Sequence, residues 1–361
     1  MVGGGAERQL TYLARELVRA GCDVHVALVH GGPNLERLEA TGATVHRVRA
    51  LGNHDPQIFA RLLAKMKAVH ADLVHCWLLQ MEVFGGLAAT LAHTPWVLSE
   101  RSSEAAYPPT WKNRLRIKVA TFASAIVSNS EAGERYWEAR ADGRIRRYVI
   151  PNALPLDEID AAPAATEDET GLKADAPLVL SAGRIDEGKN LETQVRALGL
   201  ISADRPVHAI CCGDGPLRGS IERLVVEQGL VGRVHLPGYV PHLWSLMKRA
   251  AVLVSSSRFE GRPNVVLEAM ACGCPLVVSD IPAHREFLDE RSAILVDGDN
   301  PRRIADAIVA VLDDPAAAAK RAQVARAQIQ ELSTDAIARK YIDVYRQVLT
   351  VSERRRRQPV F

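Results

Sequence analysis

Strand-like and helix-like hydrophobic patterns alternate along the chain, and this alternation restricts the fold more than any other feature. In residues 6–20 apolar side chains recur at helical spacing, Gly21 ends the pattern, and residues 23–29 alternate as a strand does. Alternating strands and helices predict a parallel sheet with helices on its faces. The further strand-like runs, with helical stretches such as 58–69 and 83–93 between them, are residues 44–48, 73–77, 96–99, 125–128 and 148–150.

The second half of the chain repeats the alternation. Because 361 residues exceed the usual size of one domain, we predict an α/β protein of two doubly wound, Rossmann-like domains facing across a cleft. Its strand candidates are residues 178–181, 207–211, 234–236, 252–255, 276–279 and 293–296. The predicted parts are an N-terminal domain (1–150), a linker rich in Ala, Pro and acidic residues (151–176), a C-terminal domain (177–332), and a final segment (333–361) whose helix either continues the second domain or returns to the first.

The beginning of the chain departs from this pattern. Gly3-Gly4-Gly5 looks like the phosphate-facing turn of a first β-α unit, yet only Met1 and Val2 precede it. The first strand of the N-terminal domain is therefore missing from the pattern. We interpret this as a mis-set start codon or a truncation.

Two carboxylates, Glu260 and Glu268, stand eight positions apart across a predicted loop-to-helix junction. Pro263 suits the first turn of a short helix, and Gly273 suits the position just past its end. The N-terminus of such a helix favours an anionic group such as a phosphate, whereas carboxylates accept hydrogen bonds from sugar hydroxyls. We therefore predict a nucleotide-sugar site, with Glu260 at its mouth and Glu268 deeper.

A second cluster, residues 181–190, directly follows a predicted strand. Gly183 and Gly188 allow the backbone to turn sharply, while Arg184 and Lys189 bring two cations to the end of the sheet. The two cations are suited to holding a diphosphate. The alternative is a solvated basic turn at a helix start.

Composition restricts the protein class. Hydrophobic residues make up 47% of the chain and charged residues 24%, and the net charge is +2, which is typical of a globular protein without a general affinity for nucleic acid. No run approaches 18 apolar residues and no signal peptide is visible. The six cysteines show neither disulfide-like nor zinc-like spacing. A cytoplasmic protein, at most peripheral on the inner face of a membrane, is expected.

These motifs together resemble the retaining nucleotide-sugar glycosyltransferases of family four, which have the GT-B architecture. The resemblance spans most of the chain. The segments that carry it are Gly4-Gly5-Ala6-Glu7-Arg8, Gly183-Arg184-Ile185 with Lys189-Asn190, Gly213-Asp214-Gly215-Pro216-Leu217, Gly238-Tyr239-Val240 and the segment from Glu260 to Glu268.

The resemblance implies a role for each matching position. As catalytic residues, Arg184 and Lys189 would bind the donor diphosphate in the C-terminal domain, and Glu260 would face the donor sugar. Glu268 would accept hydrogen bonds from the ribose. The remaining implied donor contacts are the backbone amides near Asn264 and Val265 at the leaving phosphate, Tyr239 and Val240 beside the base, and Gly4 and Gly5 approaching the phosphates from the N-terminal, acceptor-side domain.

The resemblance also implies a reaction. A hexosyl group would pass from a UDP- or GDP-linked donor, without metal or other cofactor, to a hydroxyl of a glycan or a lipid-linked acceptor in polysaccharide, lipopolysaccharide or glycolipid biosynthesis. Two alternatives remain at this point: a nucleotide-sugar epimerase of the same fold, and a non-catalytic scaffold subunit with a relict donor cleft.

The match has a gap in the first domain. Many relatives carry a His after the strand that corresponds to residues 96–99, whereas here Glu100 and Arg101 follow Ser99. Glu100 and Arg101 are the candidates for sugar or acceptor contacts. His75 ends a strand and either faces the cleft, as a further candidate for a sugar or acceptor contact, or is a hydrogen-bonded structural His.

Residues 111–122 form a helical window with four cations, Lys112, Arg114, Arg116 and Lys118, and no acid. Trp111, Leu115, Ile117, Val119 and Phe122 share the window, a composition that suits an anionic membrane surface. The alternative is a core-facing helix with a solvated basic back. The run 354–357, four arginines, either adds to the surface attraction or forms an unstructured basic tail.

Overall fold

The computed structural model describes residues 4–52, 54–107, 109–141, 143–173, 176–201, 205 and 207–357. The chain divides into two compact units. The first unit contains the described residues up to Ala153 and from Leu332 onward, and the second unit is Leu154–Glu331. Both units are α/β, and all their paired strands are parallel. Residues 1–3, at the point where the sequence pattern lacks a first strand, lie outside the described residues.

The strands in chain order are β1 His25–Leu28, β2 Thr44–Arg47, β3 Val74–Trp77, β4 Trp96–Glu100, β5 Ala125–Ser128, β6 Arg146–Val149, β7 Leu178–Ala182, β8 His208–Cys212, β9 Val234–Gly238, β10 Val252–Ser255, β11 Leu276–Ser279 and β12 Ile294–Val296. The helices are α1 Gly5–Arg19, α2 Leu35–Glu39, α3 Gln57–Ala68, α4 Leu79–Leu91, α5 Trp111–Ala120, α6 Glu131–Glu138, α7 Leu156–Ala161, α8 Glu167–Thr170, α9 Leu191–Leu200, α10 Arg218–Glu227, α11 Leu243–Arg249, α12 Asn264–Ala271, α13 Pro282–Arg285, α14 Pro301–Asp313, α15 Pro315–Ala327 and α16 Thr334–Arg357. Each predicted strand lies within two residues of an observed one at both ends.

The first unit contains a parallel pair, β1 and β2, and a four-stranded parallel sheet in the order β3-β4-β5-β6. Trp96, Leu98 and Ile126 from the sheet pack with Trp137 of α6 in one buried core. Helix α16 belongs to this unit: the Thr334 hydroxyl donates to Glu16 of α1 at 3.1 Å. The final helix therefore contacts the first unit. It also runs through residues 354–357, which the sequence alone left as an alternative unstructured tail.

The second unit has one six-stranded parallel sheet in the order β12-β11-β10-β7-β8-β9. Its first strand in the chain, β7, thus lies at the centre, between β8 and β10. The direction in which successive strands are added reverses beside β7, and open α/β sheets bind ligands at the carboxyl ends of the strands at such a switch point. The loops that follow β7 and β10 are therefore the ones that the fold brings to this point.

The predicted linker, 151–176, is not a simple linker. It contains α7 and α8, and Leu154, Ile159 and Leu172 are buried. The Lys248 ammonium donates to the carbonyl of Asp160 at 2.9 Å, which attaches the segment to α11 of the second unit. Apolar side chains spaced among Ala, Pro and acidic residues were enough to bury this segment, although its composition resembles that of a loop.

Candidate functional site

The loops after β7 and β10 meet through an ion pair between the Lys189 ammonium and the Glu260 carboxylate. Glu260 is 11% exposed and Lys189 30%, so the pair is largely withdrawn from solvent while one side remains open. The Ser257 hydroxyl donates to the same carboxylate oxygen, Oε1, at 2.8 Å. The structure therefore brings together two residues, 71 positions apart, that were predicted from separate motifs.

Close backbone packing holds the β7 loop in place. Gly213, at a φ of +128°, lies so near the Gly183 carbonyl oxygen that a Cβ atom at position 213 would overlap it. Asn190, at a φ of +53°, donates from Nδ2 to the Gly298 carbonyl at 2.8 Å. The Ser256 hydroxyl donates to the Asn190 carbonyl, also at 2.8 Å. These contacts give Lys189 a defined position above the sheet.

A small recess opens at the carboxyl ends of β7, β8 and β10. Its volume is about 20 Å³, enough for roughly one water molecule, and Arg184, Lys189, Ser257 and Val265 are among the residues that line it. Val265 lies in the first turn of α12, so the recess adjoins a helix N-terminus, as the sequence predicted. Pro263 precedes α12 rather than lying in its first turn, and Gly273, at a φ of +68°, follows its end.

Arg184 and Glu268 occupy contrasting environments. Arg184 is 71% exposed, and its Nε lies 3.5 Å from Asp186, so it is a cation on the rim of the recess. Glu268 is 3% exposed on the inner face of α12, and the Trp244 indole N–H donates to it at 3.1 Å. Glu268 is more deeply buried than Glu260, in the predicted order.

The remaining predicted donor contacts are dispersed. Asn264 is the first residue of α12 and is half-buried. Tyr239 and Val240 follow β9 at the sheet edge, and the Tyr239 side chain is largely exposed. Gly4 caps α1, and Gly5 begins it, in the first unit. For these residues contact with a donor stays a prediction.

The structure contradicts the predicted substrate role of Glu100. Its carboxylate is buried and accepts hydrogen bonds from the Arg116 guanidinium at 2.7 Å and from the Trp137 indole at 2.9 Å. The other donors to it are the Tyr107 hydroxyl and the backbone N–H groups of Arg101 and Ser102. A buried carboxylate needs such partners, and the five donors leave no room for a sugar.

His75 and Arg101 both contact α16. The His75 imidazole Nδ1 lies 2.7 Å from the Tyr345 hydroxyl, and burial, with the nearby Arg101 charge, lowers the pKa of His75 to about 3. Arg101 stacks on the Trp77 ring at 4.2 Å and donates to the Tyr341 hydroxyl at 3.3 Å. Of the two interpretations of His75, the geometry favours the structural one.

Helix α5 and the turn that follows it present a mixed apolar and basic face to solvent. Trp111 is 67% exposed, Leu115 and Phe122 are exposed as well, and they recur with Lys118 at helical spacing. Arg116, one of the four cations predicted to face outward, instead points inward and is buried against Glu82 and Glu100. Within the described ranges, no helix is both long and apolar enough to cross a membrane.

Several residues at the site were not predicted from the sequence. Ser257 bonds Glu260, Trp244 bonds Glu268, and Ser279 and His284 form a buried layer behind the β10 loop. Only the run Ser255-Ser256-Ser257 at the end of a strand was a usable signal for one of them. In the part of the chain that the structure describes, no three His, Cys, Asp or Glu residues are grouped so that they could hold a metal ion.

Comparisons with known proteins cover both units. A model described as Glycosyltransferase Family 4 matches residues 3–158, and one described as Glycosyl transferases group 1 matches residues 176–314. Among curated relatives, the alpha-D-kanosaminyltransferase of Streptomyces kanamyceticus is 27% identical over 62% of this chain and 59% of its own length. An uncharacterized glycosyltransferase of Methanocaldococcus jannaschii is 27% identical over 95% of this chain and 94% of its own.

A third relative is the N-acetylgalactosamine-N,N'-diacetylbacillosaminyl-diphospho-undecaprenol 4-alpha-N-acetylgalactosaminyltransferase of Campylobacter jejuni. It is 29% identical over 46% of this chain and 44% of its own length. The match thus spans less than two thirds of this relative and of the Streptomyces enzyme.

Two solved structures share the fold. Anabaena HepE in complex with UDP-glucose has a TM-score of 0.85 at 21% identity, covering 95% of this chain and 96% of its own. Sucrose-phosphate synthase from Thermosynechococcus elongatus has a TM-score of 0.82 at 24% identity, covering 96% and 94%. The two family models together match most of the chain and the fold agrees with them: the chain belongs to the family 4-type glycosyltransferases, which have the GT-B fold of two Rossmann-like domains.

Proposed function

We propose that this protein is a metal-independent, retaining glycosyltransferase that moves a hexosyl group from a nucleotide-sugar donor to a hydroxyl of a glycan or lipid-linked acceptor. The observation that carries the proposal is the Lys189–Glu260 pair, which lies beside the first turn of α12 at the switch point of the second unit. This arrangement combines a cation, a helix N-terminus and a carboxylate. A nucleotide sugar offers a matching diphosphate and matching hydroxyls.

The proposed role of each residue follows from its charge. Lys189 and Arg184, with the backbone N–H groups at Asn264 and Val265, would bind the diphosphate, and Glu260 would accept hydrogen bonds from the sugar. Glu268 would take the ribose hydroxyls, sharing its carboxylate with the Trp244 N–H. The ion pair holds Lys189 in place before a donor arrives, which reduces the ordering that binding requires.

The proposed reaction breaks the bond between the anomeric carbon and the leaving phosphate oxygen, which takes the electron pair. The acceptor hydroxyl forms the new bond to the same carbon from the same face, and its proton passes to the leaving phosphate. Negative charge therefore grows on that phosphate. Preorganised donors aimed at developing charge lower the barrier, and Lys189, Arg184 and the start of α12 are the groups available in this chain.

The relatives support the choice of ligands. HepE binds UDP-glucose, and the name of the Campylobacter enzyme describes an acceptor linked to diphospho-undecaprenol. For this chain we accordingly propose a UDP-linked donor, with a GDP-linked donor as the alternative. We propose a role in polysaccharide, lipopolysaccharide or glycolipid biosynthesis, in the cytoplasm, where the six free cysteines would remain reduced.

A lipid-linked acceptor would require contact with a membrane surface, and we propose that α5 supplies it. The exposed Trp111, Leu115 and Phe122 are suited to the interfacial region, and Arg114 and Lys118 beside them are suited to anionic head groups. Leu51, almost fully exposed, is in a turn that the Lys112–His54 contact places next to the start of α5. An anionic phospholipid surface matches this mixture of apolar and basic groups.

The activity is tested by incubating the full chain with a panel of UDP- and GDP-sugars, with and without EDTA, and measuring nucleoside diphosphate release. Proton NMR then identifies the anomer that is released first when water is the acceptor. We expect turnover with retained configuration in EDTA. An inverted product would contradict the retaining mechanism, and conversion of the donor into its epimer without diphosphate release would support the epimerase. Donor binding without any turnover would support a scaffold subunit.

A further inference from the structure

A continuous series of buried hydrogen bonds runs from α13 to the Lys189–Glu260 pair. The His284 imidazole Nδ1 lies 2.7 Å from the Ser279 carbonyl oxygen and 3.3 Å from the Ser279 hydroxyl. That hydroxyl donates to the Ser257 carbonyl at 2.6 Å, and the Ser257 hydroxyl donates to Glu260 at 2.8 Å. His284, Ser279 and Ser257 are all buried.

The geometry determines which ring nitrogen of His284 carries a proton. A carbonyl oxygen only accepts hydrogen bonds, so Nδ1 must carry the proton that is shared with Ser279. In the neutral ring Nε2 is then a bare acceptor, and this buried atom has no hydrogen-bond partner among the described residues. Burial is the largest influence and lowers the pKa of His284; the Lys189 charge acts in the same direction, whereas the hydrogen bond to the Ser279 backbone and the charges of Glu260 and Asp280 oppose it. A neutral imidazole therefore lies behind the Lys189–Glu260 pair.

We infer that His284 is a positioning residue for Glu260, an inference that rests on the proposed transferase function. Its Nδ1–H holds the end of β11 at Ser279, Ser279 holds the β10 loop at the Ser257 carbonyl, and Ser257 directs the Glu260 carboxylate. The imidazole itself touches no substrate in this scheme. Without it, the Ser279 hydroxyl and the β10 loop lose a fixed partner, and Glu260 can rotate away from the donor sugar.

Such a role affects the chemical step more than donor binding. Arg184 and the start of α12, which would bind much of the diphosphate, have no contact with His284, and the backbone N–H of Lys189 keeps its own bond to the Asp186 side chain at 3.1 Å. The orientation of Glu260 against the reacting sugar does depend on it, and misplacement of a positioning group by about 1 Å can reduce turnover roughly 100-fold. The expected signature is a fall in kcat with a nearly unchanged KM for the donor.

The test compares His284→Phe, which lacks the Nδ1 donor, with His284→Asn, whose amide N–H can replace it. We expect the Phe variant to lose about tenfold or more in kcat with donor KM within about threefold, and the Asn variant to recover most of the loss. His235→Phe, at an exposed position on β9, is the matched control and should leave kcat unchanged. Equal losses in the Phe and Asn variants, or a change in KM alone, would overturn the inference.

A double-mutant cycle provides a test that does not depend on the folding of the Phe variant. Ser279→Ala and Ser257→Ala remove two successive hydroxyls of the same series, so their effects on kcat should be strongly non-additive. Additive losses would contradict a single path to Glu260.

Crystal structures of the full-length wild type and His284→Asn and His284→Phe variants separate this inference from the proposed function. If the wild type shows no turnover with any nucleotide sugar, the proposed function fails. The position of Glu260 relative to Ser257 in the variants still shows whether His284 holds the carboxylate: an unmoved Glu260 in the Phe variant refutes the inference, and a displaced one supports it.

Discussion

The Arg116 guanidinium lies 2.7 Å from the Glu100 carboxylate, and both side chains are sealed from solvent. Arg116 also pairs with Glu82 and packs against the rings of Tyr107 and Trp137 at 4.5 and 4.8 Å. This one side chain therefore fastens α5 to the carboxyl end of β4. It also explains why Glu100, predicted as a candidate for sugar or acceptor contact, is not available to a substrate.

Removing Arg116 should destabilise the first unit strongly. In Arg116→Met the carboxylates of Glu82 and Glu100 would stay buried without their cation, and breaking a buried pair in this way typically costs about 3–5 kcal/mol. Thermal unfolding monitored by tryptophan fluorescence measures the effect. Arg114→Met, on the exposed face of the same helix, is the control and should shift the melting temperature little. Similar shifts in the two variants would show that the buried cluster contributes nothing specific.

Lys189→Ala should reduce turnover on the order of 100-fold, because the leaving phosphate would lose a preorganised cation. Arg184→Ala should act in the same direction through the rim of the recess. The rates of nucleoside diphosphate release and the donor affinity by calorimetry measure both effects. Arg196→Ala, whose side chain is exposed and paired with Glu192 on α9, is the control. Wild-type turnover in both test variants would rule out their proposed role.

Gly213→Ala should disrupt the β7 loop. The new Cβ would collide with the Gly183 carbonyl oxygen, and the φ of +128° at this position is unfavourable for any residue with a side chain. Donor binding and the melting temperature should both fall. Gly219→Ala in α10 is the matched control, since the nearest atom to its Cβ would be 3.9 Å away and alanine favours a helix by about 0.5–1 kcal/mol. Unchanged donor binding and melting temperature in Gly213→Ala would show that the loops after β7 and β8 are not in close contact.

The α5 surface predicts binding to anionic vesicles. The full chain should co-sediment with phosphatidylglycerol-containing vesicles more than with pure phosphatidylcholine vesicles, and added salt should weaken the binding. Each basic residue near an anionic leaflet is worth about 1 kcal/mol, so Lys118→Glu, which also adds a negative charge, should lower the partition coefficient by at least about fivefold. Trp111→Ser should weaken binding to both vesicle types. The control is Arg303→Glu, at an exposed position of α14 in the second unit. Equal partitioning to the two vesicle types would contradict the electrostatic part of the proposal.

His75 should make stability depend on pH. Its pKa is about 3 in the folded protein and about 6.5 in the unfolded chain, so the unfolded state binds the proton more tightly. Its contribution is fully present above pH 6.5 and is lost as the pH falls toward 3, by at most about 1.4 kcal/mol per pH unit. In His75→Phe, which keeps a ring but does not titrate, unfolding free energy measured in urea should fall less steeply below pH 6.5. Parallel pH profiles for wild type and variant would show that the pKa of His75 is the same in the folded and unfolded states.

Local patterns were sufficient for much of the fold. Hydrophobic spacing predicts where the observed strands lie. The periods of about 2 residues for a strand and 3.6 for a helix can be read from a short segment alone. They also place Lys189 and Glu260 just after strands of one domain. Since the carboxyl ends of parallel strands share one edge of a sheet, the convergence of these two residues followed from the chain order of strands and motifs.

Only the tertiary structure decided which strands are neighbours and which polar side chains already have hydrogen-bond partners within the protein. The sequence by itself shows a polar residue at a strand end, but the direction and partner of its side chain depend on packing against distant segments. His75 contacts Tyr345, 270 positions away, and Glu100 receives Arg116 from the next helix. His284 gave no local signal at all, because its importance lies in a hydrogen-bond series that exists only after β10 and β11 have paired. Sequence patterns thus identified the family and predicted the convergence of Lys189 and Glu260, whereas long-range packing determined which candidate side chains are already hydrogen-bonded elsewhere.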